Sequence, residues 1–168
     1  MDIQVATRPV RPEDLARFCS LWSRLSPDTV YRRFHSPVRS LPPALVHRLV
    51  EVDHDRREAL VAVVGDDVVG VARYDRFPTD PATAEFAVLV EDAWQGVGLG
   101  RQLLLEITEL AGRRGVRTAA ATVQADNDRM LHLIRRLLPA PRQHLEASTY
   151  EITSPLAARA AVAPAAAA

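Results

Sequence analysis

At 168 residues, 48% apolar and 25% charged, the sequence has the balance of one globular domain, long enough to bury about 70% of its unfolded surface. Its 21 basic and 21 acidic residues cancel, which removes the electrostatic footprint expected of a partner for nucleic acid or an anionic membrane. The lone Cys19 excludes an internal disulfide, and no apolar run has membrane-spanning length or the form of an N-terminal signal peptide. The expectation is a soluble cytoplasmic protein, monomeric or a small homo-oligomer.

Ile3 to Ala6 reads as a first strand. Pro12 opens a helix with Glu13 and Asp14 in its first turn, where the helix dipole favours acids. Leu15, Phe18, Cys19, Trp22 and Leu25 give it an apolar side, so Cys19 is expected to pack inward. Ser26-Pro27 signals a second helix start, with Ser26 as N-cap, and the segment it opens carries Tyr31, Arg32, Arg33 and Phe34. The two arginines are expected on a helix surface, or else along an acceptor groove. A third helix is expected from Pro42 to Val52, followed by the charged connection Asp53 to Arg57, in which His54 reads as part of a solvated turn.

Glu58–Val64 and Val68–Tyr74 are β-rich and meet at Gly65-Asp66-Asp67, the pattern of a hairpin. Ala84–Val90 is a nearly unbroken apolar run with one carboxylate, Glu85, inside it, which suits a strand buried on both faces. Glu91-Asp92-Ala93 turns the chain into Gln95–Gly100, where glycine recurs at every second position. Leu99, Leu103, Ile107, Leu110 and Ala111 then mark one side of a long helix, which Gly115 stops. Val116–Gln124 reads as a strand, and Asn127 as the N-cap of a last helix carrying Met130, Leu131, Ile134 and Leu137. Pro139 and Pro141 end that helix, and His144–Ile152 has room for two closing strands. From Ser154 the chain is nearly all alanine and reads as a mobile tail.

A strand that feeds a glycine-rich loop into a helix N-terminus is suited to an anion, because free N–H groups converge where the dipole is positive. The dinucleotide fingerprint fails in both registers, with Arg101 or Leu103 where its last glycine belongs. The P-loop lysine is missing, since the chain has no lysine at all. What fits is Gln95-x-x-Gly98-x-Gly100, the Q/R-x-x-G-x-G/A signature, and through it the chain resembles the GCN5-related N-acetyltransferases (GNAT). LSPDTVYRRF (25–34), the 53–56 stretch running into EALVAV, and AEFAVLV bring it nearest to bacterial protein lysine acetyltransferase domains.

The resemblance covers about 3–152. It implies an α/β (α+β) domain over 1–153, with 154–168 as the tail, built on a mixed sheet of six to seven strands flanked by helices and splayed at the acetyl-CoA site. It implies transfer of an acetyl group from acetyl-CoA to a primary amine, most naturally a protein lysine, by direct attack; a small-molecule amine or a non-catalytic acetyl-CoA sensor are the alternatives. Glu85 is then the candidate general base, its pKa expected to rise by burial. The other reading is a strand-end carboxylate turned to solvent or paired with an arginine.

By the same resemblance, backbone around Val88, Leu89 and Val90 would meet the thioester and pantetheine. Gln95, Gly96, Val97, Gly98, Leu99, Gly100 and Arg101 would hold the pyrophosphate. Asn127 would touch CoA or simply cap its helix. The general acid stays unassigned: no tyrosine lies between Asn127 and Gln143, and Tyr150 is too far along. The five histidines form no metal-ligand spacing with cysteine or acid, so no metal is expected.

Overall fold

Every neighbouring pair of strands in the central sheet but one is antiparallel, and the exception makes the site. The computed structural model describes residues 4–36 and 38–156. Its strands are β1 (Ala6–Pro9), β2 (Arg57–Val64), β3 (Asp67–Arg76), β4 (Thr83–Val90), β5 (Thr118–Gln124), β6 (Arg142–Glu146) and β7 (Thr149–Pro155). They form one seven-stranded sheet in the order β1-β2-β3-β4-β5-β7-β6, and β4 with β5 is the parallel pair. Helices α1 (Leu15–Ser23), α2 (Pro27–Phe34), α3 (Pro43–Val50), α4 (Leu99–Arg113) and α5 (Asp128–Leu137) connect and cover it.

The alternation of β2 builds two cores. Leu60 and Ala62 face the α4 side, with Leu103, Ile107 and Ala111 of that helix fully enclosed. Ala59 and Val61 face the other side, against Phe18 and Leu21 of α1 and Val46 and Val50 of α3. An extra residue in β3 makes a bulge: Ala62 pairs with Gly70 but Val63 with Val68, leaving Val69 between them. A smaller cluster of Val123, Leu131, Ile134 and Ile152 seats α5 on β5 and β7.

The local signals hold where a side chain makes the bond they predict. Ser26 Oγ accepts from Thr29 N–H at 3.2 Å and Asn127 Oδ1 from Met130 N–H at 3.2 Å, so both residues cap their helices. Gly115 follows α4 at φ +90°, the conformation a helix stop requires.

Other expectations are corrected. The first strand is Ala6–Pro9, not 3–6, and Ile3 lies outside the described residues. Cys19 is exposed, because Phe18 and Leu21 form the buried stripe of α1 and the thiol falls beside it. The last strand runs through Ser154 and Pro155, since Ser154 is 1% exposed and its hydroxyl donates to Pro139 O. The rest of the expected tail, 157–168, lies outside the described residues. Within the described residues no helix is long and apolar enough to cross a membrane.

His54 lies in an exposed bend, in keeping with the solvated turn expected of it, and from there its ring reaches a buried carboxylate. His54 sits at φ +59°, with Nδ1 2.9 Å from Glu58 Oε1. Glu58 is fully buried at the start of β2 and accepts from Arg114 at 2.6 Å and from its neighbour Ala59 N–H at 2.9 Å. Tyr74 Oη joins the same group, 3.3 Å from Arg114, while donating to Asp55 O at 3.0 Å. This network ties the end of α4 to the far end of the sheet from the glycine loop.

Candidate functional site

Strands β4 and β5 stay paired for only three residues, Thr83–Glu85 with Thr118–Ala120. Beyond that, β4 follows β3 to Val90 while β5 follows β7 to Gln124, and the sheet opens into a V. The gap leads into a cleft of roughly 960 Å³ reached by β4, β5, α2, α5 and the start of α4.

The β3–β4 ladder decides which backbone groups face the gap. Phe77 N–H donates to Thr83 O at 3.0 Å and Glu91 N–H to Val69 O at 2.9 Å, so both ends have the same phase. Alternation then turns Glu85, Ala87 and Leu89 N–H groups toward β3, and those of Phe86, Val88 and Val90 the other way. The Phe86 amide meets β5 at the last rung of the parallel pair, so Val88 and Val90 present backbone N–H to the gap as expected. The Leu89 amide is spent on the sheet, and its side chain packs against the α1–α3 core.

The glycine loop stands at the open end. Gly96 and Gly98 hold φ of +81° and +92°, which side chains resist, and a Cβ at either would point into open space. Gly100 begins α4 beside Val90. Leu99 is buried and anchors that helix, while Val97 is 70% exposed and offers backbone only. The first intrahelical bond of α4 runs from Gln102 N–H to Gly98 O, so the amides of Leu99, Gly100 and Arg101 have no helical partner. With the exposed Arg101 guanidinium at the same helix end, this cradle fits a pyrophosphate. The cleft beside it has room for the extended arm of a CoA thioester.

Gln95, expected among the phosphate residues, spends its side chain on structure. Nε2 donates to Val90 O at 3.0 Å and Thr29 Oγ1 at 3.1 Å, and Oε1 accepts from Arg129 at 3.0 Å. The motif glutamine thus latches the end of β4 to α2 and α5. Asp92 completes the latch by accepting from Ser26 Oγ at 2.7 Å, Ser26 N–H at 2.9 Å and Thr29 Oγ1 at 2.8 Å. Burial pushes the Asp92 pKa up, but these hydrogen bonds outweigh it and hold the carboxyl below its ordinary range. The capping residues of α2 mark a helix start in sequence; nothing local shows that they also hold the loop.

Glu85 is exposed, not buried: Ala84 and Phe86 turn into the core, and Glu85 faces the mouth of the cleft under α2. Arg32 and Arg33 line the same cleft instead of decorating an outer surface. Asn127, besides its cap, lines it from the start of α5. Tyr150 packs in the α5 cluster. Among the described residues no three His, Cys, Asp or Glu side chains gather as metal ligands would.

Comparison with known proteins bears on this geometry. Residues 18–138 match the model of the Acetyltransferase (GNAT) family. An acetyltransferase of Pseudomonas aeruginosa is 34% identical over 133 residues, 77% of this chain and 71% of that one. The acetyltransferase Pat of Mycolicibacterium smegmatis is 36% identical over 132 residues, 77% of this chain but only 39% of its own length. The GNAT domain of Streptomyces lividans PAT superposes with a TM-score of 0.83 at 31% identity, covering 90% of each chain.

Proposed function

The chain belongs to the Acetyltransferase (GNAT) family, and on that premise we propose that it moves the acetyl group of acetyl-CoA to a protein lysine side chain, with Glu85 as general base. The observation that carries this is the split between β4 and β5, which brings the glycine cradle, free strand amides and the Glu85 carboxylate into a single cleft. The likeness to Pat and to the S. lividans domain supports lysine as the acceptor.

Acetyl-CoA supplies a thioester whose acyl carbon the amine attacks; the amide C–N bond forms as the C–S bond breaks, and CoA leaves as a thiolate that takes its proton from solvent. The amides of Leu99, Gly100 and Arg101 hold the phosphates at one end of the cleft. Backbone N–H groups of Val88 and Val90 line the gap, where they orient the acyl arm and stabilise negative charge on its carbonyl oxygen. A lysine with a pKa near 10.4 is neutral in only about one molecule in a few thousand at pH 7, so the reaction needs a proton acceptor. Glu85 stands at the mouth to take that proton, directly or through water. With no lysine in its sequence, the chain offers no lysine side chain to compete with the acceptor.

The test is incubation of the protein with radiolabelled acetyl-CoA and a cell lysate, followed by separation of proteins from small molecules. Label on protein lysines is the expected result; label confined to small molecules rejects the lysine acceptor. Gly98→Ala probes the cradle separately. A side chain at φ +92° costs about 1–2 kcal/mol, which the variant escapes by letting the free loop leave this shape; the cradle must then be re-formed on binding, and calorimetry is expected to show acetyl-CoA affinity reduced about tenfold. Unchanged affinity together with an unchanged melting temperature would show that the left-handed geometry is not what forms the cradle.

A further inference from the structure

Two adjacent arginines of α2 line the cleft, and only one is matched. Arg32 pairs with Asp28 at 2.8 Å and with Asp126 at 3.6 Å. The Arg33 guanidinium makes no hydrogen bond or ion pair with any described residue. Its guanidinium carbon lies over the ring of Phe34, 5.0 Å from the centroid, a cation–π contact that uses none of its N–H donors.

The charges facing it come from α2's neighbours in the sheet. Arg73 of β3 is committed to Asp75 at 3.1 Å, and Glu85 of β4 stands at the cleft mouth. Burial and the positive charge of Arg73 push the Arg33 pKa down, and Glu85 and Asp75 oppose them. A partly enclosed guanidinium whose donors bond no described residue can offer them to an incoming anion, and its planar fork matches a carboxylate. Glu85 is close enough to feel this charge, yet the proposed reaction needs its carboxylate for the amine.

Building on the lysine-transfer reading above, we infer that Arg33 binds an aspartate or glutamate side chain of the acceptor, adjacent to the lysine that reaches Glu85. The cleft then presents a cation and an anion that act on each other electrostatically, and the acceptor supplies the complementary pair.

The experiment uses short peptides with one lysine whose neighbours, from two before to two after, are set in turn to Asp, Asn or Arg. Wild type is expected to favour Asp over Asn at one of these places by at least about tenfold in kcat/KM, the scale of one charge-assisted hydrogen bond. Arg33→Gln should treat the two alike, and Arg33→Glu should favour Arg there. Equal rates for Asp and Asn at every place in wild type overturn the inference. So does a wild-type ranking that survives in Arg33→Glu.

Binding of the same peptides with norleucine in place of lysine, followed by fluorescence anisotropy, tests the contact without turnover. Binding that depends on Asp and on Arg33, in the absence of any peptide acetylation, keeps the inference about Arg33 and removes the lysine reading. Binding indifferent to both removes the inference.

Discussion

Glu85→Gln is expected to lower turnover by about 10²–10⁴-fold, the usual contribution of a positioned proton acceptor, while leaving acetyl-CoA affinity unchanged. Glutamine keeps the size of the side chain and its hydrogen-bonding reach but cannot take a proton at neutral pH. The cradle lies at the opposite end of the cleft and does not involve residue 85. Calorimetry should therefore give wild-type affinity, and the defect should sit in kcat. The exposure of Glu85 shapes a further expectation. In the free protein the carboxylate is in contact with solvent, which can carry the proton away once it is taken. Raising the pH supplies the neutral amine from solution, so the deficit of the variant should shrink as pH climbs toward the lysine pKa near 10.4. If both proteins release CoA at the same rate at pH 7 in the presence of acceptor, Glu85 has no chemical role.

Glu85 also marks the limit of what is legible in the sequence. Ala84–Val90 reads as a strand, and the glycine loop after it as an anion cradle, because both are local patterns of backbone chemistry. That β5 leaves β4 after Glu85 is not local, since the divergence depends on β7 claiming β5 from the other side. A run of apolar residues beside an open cleft looks the same as one between two covered faces, so the acid inside it reads as buried when it is not. The same blindness applies to Gln95: its position in the motif is plain, but its partners Thr29 and Arg129 are 66 and 34 residues away. Caps, by contrast, are satisfied within three residues, and Ser26 and Asn127 are recognisable as caps for that reason. Cys19 misleads because a short helix has a narrow apolar stripe, and Phe18 and Leu21 already fill it.

Arg114→Ala is expected to destabilise the fold by about 3–5 kcal/mol, lowering the melting temperature by roughly 6–20 °C for a domain of this size. Glu58 is fully buried, and its two oxygens are shared among Arg114, His54 and the Ala59 amide. Removing Arg114 leaves a buried carboxylate whose remaining side-chain partner, His54, is half exposed. It also frees Tyr74 Oη from one of its contacts at the point where α4 ends. The double variant Glu58→Leu/Arg114→Leu should be far milder than Arg114→Ala, because it removes both the charge and the partner and leaves apolar atoms in an apolar surround. The comparison separates two origins of the loss. A double variant as unstable as Arg114→Ala would mean that Arg114 matters through the packing of its side chain. The network sits at the far end of the sheet from the glycine cradle, so whatever fraction of Arg114→Ala remains folded should bind acetyl-CoA with wild-type affinity. A large loss of affinity in that folded fraction would show instead that α4 transmits the state of its C-terminal end to the amides of Leu99 and Gly100.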